Sequence, residues 1–521
     1  MSKNRSRSAW PPAAVRRRRA AVGRGHGETF GLLLLRRPGR RHVCGRDGAV
    51  GQNVRRRPCH AGRVSTSAPP PRRVVIVGGG VSGLAAAWFL RDAGVRVTVL
   101  ERAARPGGKL APAEVAGFTV DAGAEALLAR RPEAVDLVRA VGLGADLVHP
   151  QTSAAGVWSR GLVRPLPAGH VMGVPLDLAA LRRSGVLSPL GVLRAGAERV
   201  LPARPVAGDI SVGAWVGARW GAQVVDRLVD PLLGGVWAGH ADRLSLRAAA
   251  PQLAAAAAAG ERLHASPRDP SPVFAGIRGG VARLVPALVA GSGAEVRTGV
   301  TVRGLTRRQH GWELLAGPTS APEYLEADAV ILAVPARPAS RLLAESVPVA
   351  AQRLAEIEYA SAAIVTLVLS PGPRPLHGSG FLVPAVEGRG IKAVTYSSQK
   401  WAWTGESAAG DVVVRASVGR FGETADLDRC DADLIALVRA ELADACGLVG
   451  QPRDSLVTRW GGSLPQYTVG HLDRVAAIRD AVAAAPGLAV CGAAYDGIGI
   501  AACIASAARA AGAIVPQRHN G

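Results

Sequence analysis

Six residues near position 80 have the types and spacing needed to hold the phosphates of a dinucleotide. They follow a short apolar strand predicted at Val74–Val77 and open a helix predicted at Ser82–Ala93. The turn satisfies GxGxxG and consists of Gly78, Gly79, Gly80, Val81, Ser82 and Gly83. The first glycine permits the tight turn, the second lets a pyrophosphate approach the backbone, and the third lets the helix pack on the strand. The free N–H groups of the helix N-terminus would then face the phosphate charge.

An acidic residue completes this pattern. Glu101 lies 18 residues past Gly83, at the end of a second strand predicted at Val95–Leu100. Its carboxylate can accept hydrogen bonds from ribose hydroxyls and would repel a 2′-phosphate, which argues against NADP. Strand, glycine turn, helix and acid together predict a Rossmann-like βαβ unit of an α/β fold. This pattern alone does not separate FAD from NAD.

The residues that follow resemble the ERxxRxGG extension of the FAD-dependent superfamily of amine oxidases, carotenoid desaturases and protoporphyrinogen oxidases. A second segment, 492–500 (GAAYDGIGI), stands between a predicted strand and helix, where the superfamily closes over its flavin. The dipole of that helix would stabilise a reduced, anionic flavin. The resemblance therefore implies FAD. Besides the glycine turn, the implied cofactor residues are Glu101, Arg102, Arg105, Gly108, Lys109, Gly123, Val302, Gly492, Gly497, Ile498, Gly499 and Ile500.

Longer stretches resemble one family within this superfamily. They are GGVWAG…LSLRA…P at 234–251, IKAVTYSSQKW at 391–401 and RW…LPQY…GH at 459–471. Together with the nucleotide motifs they resemble oxygen-dependent protoporphyrinogen/coproporphyrinogen III oxidases, over roughly residues 73–515 and most closely in their soluble bacterial form. The chain departs from the family at Trp237, where Tyr is usual, and at Ala124-Glu125, where Pro-Glu is common.

This resemblance implies an FAD-dependent oxidase of heme biosynthesis that converts coproporphyrinogen III to coproporphyrin III, with O2 as acceptor and H2O2 as product. It also implies a downstream heme-pathway enzyme as a partner. Substrate propionates need cations, and the predicted ones are Arg130, Arg131, Arg164, Lys392 and Lys400. No catalytic residue is predicted, because no Ser/His/Asp set, metal cluster or paired-carboxylate motif stands out. Three alternatives remain: a protoporphyrinogen IX oxidase, another flavin amine oxidase or desaturase, and a non-enzymatic or RNA-binding protein.

The elements that must position these residues suggest two domains. An FAD-binding domain is predicted from the discontinuous segments 73–125, 277–345 and 455–517. An α+β substrate domain with a helical insertion is predicted from 126–276 and 346–454. Helical spacing extends over 178–200. The predicted strands and later helices are Val296–Val302, Ala329–Val334, Ile364–Leu369, Ile391–Tyr396, Val412–Val418, Asp431–Cys446, Leu488–Cys491 and Ile500–Ala511.

The distribution of charge argues against a nucleic-acid partner for the body of the chain. The net charge is +23, but residues 1–73 hold 19 basic and two acidic residues, and the other 448 have a net charge of +6. Residues 1–72 therefore form a predicted disordered basic leader. We expect residues 1–63 to be dispensable, with Val64 as an alternative start. The modest positive charge of the body favours the tetrapropionate coproporphyrinogen over the dipropionate protoporphyrinogen.

Cysteine content and apolar runs predict the compartment. The six cysteines form no CxxC pair, which fits a reducing cytoplasm rather than a disulfide framework. No uncharged apolar run approaches the ~18–20 residues of a transmembrane helix. The sequence therefore predicts a cytoplasmic protein without a transmembrane segment.

Overall fold

Short runs of Val, Ile and Leu form the strands of a five-stranded parallel sheet, which is typical of strands covered on both faces. The computed structural model describes residues 72–264 and 271–515. Of the predicted basic leader, 1–72, only Arg72 is among the described residues. In spatial order the strands are Glu295–Arg297, Arg96–Leu100, Arg73–Val77, Ala329–Leu332 and Leu488–Val490. The predicted Rossmann-like α/β class, assembled from discontinuous segments, is confirmed. The predicted domain boundaries stay a prediction.

Alanine-rich helices pack closely on one face of this sheet. The first helix, Val81–Leu90, contacts the last helix, Ile500–Ile514, and both are buried along most of their length. Small side chains allow this approach, and the same apolar cluster includes residues of Pro132–Ala140 and Leu284–Ser292. The opposite face is covered by another set of helices, Ala336–Leu343, Pro348–Ala355 and His471–Ala483.

A seven-stranded sheet forms the second layer. Its order is Asp454–Pro465, Tyr359–Leu369, Val412–Val418, Ile391–Tyr396, Gly380–Leu382, Gly156–Ser159 and Leu162–Pro165. The predicted strands Ile391–Tyr396 and Val412–Val418 have the predicted bounds, whereas the strand predicted at Ile364–Leu369 begins earlier, at Tyr359. The helix Asp431–Cys446, also as predicted, packs against one face. The other face is directed towards the cofactor segments.

Two predicted elements are divided in the structure. The helical stretch 178–200 breaks at Gly185, whose φ of +66° ends one helix, and Pro189 starts the next. The strand predicted at Val296–Val302 is two strands in different sheets, Glu295–Arg297 and Val302–Arg307. The remaining strands are Pro112–Val115, Phe118–Asp121, Leu127–Leu128, Leu147–Val148, His170–Val171, Val174–Pro175, Phe274–Ile277, Trp312–Ala316 and Glu323–Ala327.

Most of the remaining helices lie in one part of the sequence, between the strands Val174–Pro175 and Phe274–Ile277. Their bounds are Leu178–Ser184, Pro189–Gly196, Val212–Trp220, Ala222–Val224, Asp230–Trp237, Leu246–Ala249, Pro251–Ala259, Ser397–Lys400 and Ala402–Ser407, with a π-helical turn at Val225–Val229. Among the described residues no helix has the length and apolarity to cross a membrane. Within 72–264 and 271–515, no group of three His, Cys, Asp or Glu residues is arranged to hold a metal ion.

Candidate cofactor and substrate site

The glycine turn has the geometry of a nucleotide cradle. Gly78 has a φ of +105°, and a Cβ there would lie 2.6 Å from the carbonyl oxygen of Ala333. A Cβ on Gly83 would overlap the carbonyl of Gly78, so this glycine lets the first helix pack on the strand. A Cβ on Gly80, in contrast, would meet no protein atom within 4 Å. Because no side chain caps this helix, its first N–H groups are available to a phosphate beside Gly80.

Glu101 is fixed at the end of its strand by two backbone amides. One carboxylate oxygen accepts from Gly79 N at 2.7 Å and the other from Ala103 N at 2.8 Å. Each oxygen has a further lone pair, so the carboxylate can also accept from ribose hydroxyls. Val300 N donates to the Glu101 carbonyl at 2.9 Å, which brings the start of the strand containing Val302 close to this end of the sheet.

The loop after Glu101 returns to the glycine turn. Gly107 N donates to the Gly79 carbonyl at 2.7 Å, and a Cβ on Gly108 would lie 3.3 Å from Gly80 Cα. Arg102 is exposed. The Arg105 guanidinium donates to the carbonyl oxygens of its own loop, at Pro106, Gly108 and Leu110. In this arrangement Arg105 shapes the loop, and its predicted contact with phosphates stays a prediction.

Lys109 lies in the same loop, directly after Gly108. Its side chain is accessible, yet desolvation by the surrounding protein lowers the pKa of its ammonium, with Cys503 opposing the shift. It makes no hydrogen bond or ion pair with any residue that the structure describes. An accessible cation without a hydrogen-bond or ion-pair partner among the described residues is suited to a negatively charged ligand.

The segment 492–500 meets the glycine turn from the opposite side. A Cβ on Gly492 would lie 3.9 Å from Ser82 Oγ. The turn that precedes the last helix is therefore close to the start of the first helix. The last helix begins at Ile500, after Ile498 and the exposed Gly499, and no side chain caps it. A Cβ on Gly499 would meet nothing within 4 Å. Two open helix N-termini thus face the same region, which favours a ligand with negative charge.

Gly123 and Glu125 link these cofactor segments to the seven-stranded sheet. A Cβ on Gly123 would overlap the Lys109 carbonyl, so the two backbone segments are in direct contact. Glu125 accepts from Lys400 Nζ at 2.6 Å and from the Arg415 guanidinium, which also donates to the Gly123 carbonyl at 2.5 Å. Burial alone would raise the pKa of Glu125, but Lys400 and Arg415 outweigh it and hold that pKa below its usual range.

The five predicted substrate cations do not form one cluster, and each has a protein partner. Arg130 donates to the Ser271 carbonyl, Arg131 pairs with Glu133, Arg164 donates to the Ser159 carbonyl, Lys392 to the Gly419 carbonyl and Lys400 to Glu125. Burial, followed by Arg420, lowers the pKa of Lys392 to about 7. Contact of these cations with substrate therefore stays a prediction.

Sequence reasoning missed a row of partly exposed side chains on the face of the seven-stranded sheet that is directed towards the cofactor segments. The open row, as we call it, occupies consecutive register positions on five strands: Thr458, Ile364, Ser417, Ala393 and Leu382. All five are only partly buried, although four of them lie on inner strands of the sheet. The alternation of Ala393 and Thr395 with buried neighbours was a signal of this face, but the strand pairing was not visible in the sequence.

The partial exposure of the open row beside the cofactor segments indicates a space between them, which we call the crevice. The helix Asp230–Trp237 stands over one end, since a Cβ on Gly235 would lie 3.2 Å from Leu382 Cδ2. Val236, next to it, is 53% exposed. Arg415, two residues from Ser417 and on the same face, contacts Gly123. A flat molecule in this crevice would therefore lie next to the segments at Gly123 and Lys109.

These residues fit FAD. Gly80 leaves room for a pyrophosphate, Glu101 can accept from a ribose, and the two helix N-termini favour the negative charges of the diphosphate and of a reduced flavin. Gly78–Gly83, Glu101, 107–109, Gly123, Gly492 and 497–500 are brought together around one region, whereas the Tyr495 side chain packs into the core on the other face of the sheet.

Comparisons with known proteins agree with this geometry. Residues 81–515 match the family described as flavin containing amine oxidoreductase, and residues 36–125 match that of pyridine nucleotide-disulphide oxidoreductases. Coproporphyrinogen III oxidase of Mycobacterium tuberculosis H37Rv is 37% identical over 84% of this chain and 96% of its own length. The Bacillus subtilis coproporphyrinogen III oxidase is 31% identical over 82% of this chain and 94% of its own length.

A solved structure has the same fold. It is a protein from Exiguobacterium sp. 255-15 that is provisionally named a protoporphyrinogen oxidase, 33% identical, with a TM-score of 0.76 over 85% of this chain and 98% of its own length. The likeness therefore extends over both sheets and the helices between them.

Proposed function

This chain belongs to the family of flavin containing amine oxidoreductases, and from that premise we propose that it oxidises coproporphyrinogen III to coproporphyrin III. The chain is an FAD-dependent oxidoreductase. The overall reaction removes six hydrogens and consumes three O2 to give three H2O2. When bound, FAD accepts two electrons at a time, so the oxidation of each macrocycle requires three turnovers.

The observation that carries the proposal is the partial exposure of the open row on the sheet face that contacts the cofactor segments. A porphyrinogen is large and flat, and the small side chains of Ala393 and Ser417 leave room for such a ring against the sheet. The hydroxyls of Ser417, Thr395 and Thr458 can hydrogen-bond to carboxylates or pyrrole N–H groups.

The choice of coproporphyrinogen rests on two supports. Relatives that are 37% and 31% identical along nearly their whole length are named coproporphyrinogen III oxidases. The body of the chain is also modestly positive, which suits four propionates better than two. By the same resemblance we assign the reaction to the cytoplasm, with a downstream enzyme of heme biosynthesis as recipient of the product. The domains 73–125, 277–345 and 455–517 would then hold FAD, and 126–276 and 346–454 would hold substrate.

The test is to measure kcat/KM for coproporphyrinogen III and protoporphyrinogen IX with the same purified yellow protein, first without and then with O2. We expect porphyrin fluorescence to rise only with O2, and coproporphyrinogen to be preferred by at least about tenfold, equivalent to about 1.4 kcal/mol. Equal or higher efficiency with protoporphyrinogen IX would overturn the substrate assignment. Turnover of an amine, with neither porphyrinogen oxidised, would overturn the reaction class.

A further inference from the structure

One phenolic hydroxyl ties together both ends of the turn that leads into the last helix. Tyr467 stands just after the long strand Asp454–Pro465, and its side chain is buried. Its hydroxyl donates to the Ala493 carbonyl at 2.7 Å and accepts from Gly497 N at 2.7 Å. The hydroxyl therefore links the residues that follow the last parallel strand to those that begin the helix Ile500–Ile514.

The ring of Tyr467 is held between two other rings. Trp237 lies with its centroid 4.5 Å away, and His471 stacks on the Tyr467 ring at 3.7 Å with an interplanar angle of 16°. Burial lowers the pKa of His471 to about 4, and the nearby Arg474 adds to this effect. The imidazole ring that stacks on Tyr467 is therefore neutral near pH 7. The hydroxyl is thus placed by residues from three separate parts of the chain.

The turn that Tyr467 holds sets the direction of the last helix's first N–H groups. Gly497 has a φ of +134°, and a Cβ there would lie 2.9 Å from Ala502 Cβ, so the turn has few alternative conformations. Arg479 and Arg509 both pair with Asp496 from the outer side. The exposed Gly499 and the uncapped helix N-terminus then face the region of the glycine turn.

From this geometry we infer that Tyr467 is a positioning residue that sets the affinity for FAD and the reduction potential of the bound flavin. Without the hydroxyl, the Gly497 amide loses its partner and the turn relaxes, so the N–H groups of the helix no longer align with the negative charge of the reduced cofactor. The inference rests on the FAD site and not on which porphyrinogen is oxidised.

The experiment compares Tyr467→Phe with Tyr495→Phe, without any porphyrinogen present. Tyr495 is a matched control because it is buried in the same segment, while its hydroxyl has no hydrogen-bond partner among the described residues. In Tyr467→Phe we expect FAD to dissociate about tenfold more readily, as for loss of roughly 1.4 kcal/mol. The flavin's preference for the reduced state should also fall about tenfold, a shift of about 30 mV to more negative potential.

Tyr495→Phe should match the wild type in both measurements. A wild-type potential in Tyr467→Phe, or an equal shift in both variants, would overturn the inference. If Tyr467→Phe does not fold, Trp237→Leu serves instead, because it opens one side of the ring stack and keeps the hydroxyl. It should shift the potential in the same direction by a smaller amount, and an unchanged potential would count against the inference.

Discussion

The Lys400 ammonium lies 2.6 Å from the Glu125 carboxylate, across the junction between the seven-stranded sheet and the segment that contacts the cofactor loop. Arg415 shares the same carboxylate. One acid thus neutralises one of two buried cations and anchors the sheet beside Gly123. The sequence predicted Lys400 as a substrate cation, but the structure gives its charge a protein partner.

Replacing Glu125 by Gln should destabilise the fold by about 3–5 kcal/mol, because the buried Arg415 and the half-buried Lys400 would be left facing each other without compensation. Lys400→Met is the companion variant and should cost less, since Arg415 still pairs with Glu125. Urea unfolding of both variants at pH 7 measures the difference. The anchoring role fails if Glu125→Gln unfolds at the wild-type urea concentration.

Gly80→Val should remove FAD while leaving the protein folded. A Cβ at this position meets no protein atom within 4 Å, so the valine side chain would extend into the space expected for the pyrophosphate. We expect Kd for FAD to rise by at least about 100-fold, equivalent to about 2.8 kcal/mol. Flavin absorbance of the purified protein and FAD titration of the apoprotein check this outcome.

Gly512→Val is the matched control, since a Cβ at this exposed position of the last helix also meets nothing within 4 Å. It should retain flavin, because it lies near the opposite end of that helix. Full flavin absorbance in Gly80→Val would contradict the assignment of the glycine turn.

How far the sequence predicts this architecture differs from strand to strand. Val412–Val418 was predicted at its true bounds from its β-branched residues, although Arg415 weakened the pattern. The partner that makes Arg415 acceptable in a buried strand, Glu125, lies 290 residues away. The strand Asp454–Pro465 was not predicted, because Gly461 and Gly462 interrupt its apolar pattern and its pairing with Tyr359–Leu369 is long-range.

The candidate site shows the same limit. The cofactor motifs were found because strand, turn and helix are contiguous around Gly80. The open row was not, because Thr458, Ser417 and Ala393 become neighbours only through the register of separate strands. The partners of Lys392 and Lys400 were hidden for the same reason, and both were therefore interpreted as cations available to substrate.

Lys392→Met should change stability with a specific pH dependence. Between pH 7, the lowered pKa of the native amine, and pH 10.5, its ordinary value, the unfolded chain binds more protons than the native protein. The wild-type free energy of unfolding therefore gains up to about 3 kcal/mol from this group between pH 7 and 9.5. The variant lacks that gain, so its stability relative to wild type is greatest at or below pH 7.

Denaturant unfolding of both proteins at pH 6, 7, 8 and 9.5 tests this expectation. A pH-independent difference between them would contradict the buried, titrating amine. Since Lys392 Nζ already donates to the Gly419 carbonyl at 2.6 Å, KM for coproporphyrinogen III should stay unchanged. A selective rise in KM for the tetra-acid would instead support the original prediction of a propionate contact.

Ala393→Phe should block the crevice without disturbing the cofactor. Ala393 lies between Ser417 and Leu382 in the open row, where its partly exposed methyl group leaves room for a flat ring. A phenyl group there would occupy the space proposed for porphyrinogen, so kcat/KM should fall by at least about tenfold, or about 1.4 kcal/mol of transition-state stabilisation. Flavin content and the reduction potential should match wild type, because Ala393 is separated from Gly123 by Arg415.

Ala321→Phe, at an exposed turn, provides the same substitution outside the crevice and should leave kcat/KM unchanged. If Ala393→Phe oxidises coproporphyrinogen III at the wild-type rate, the substrate must bind elsewhere than against this sheet.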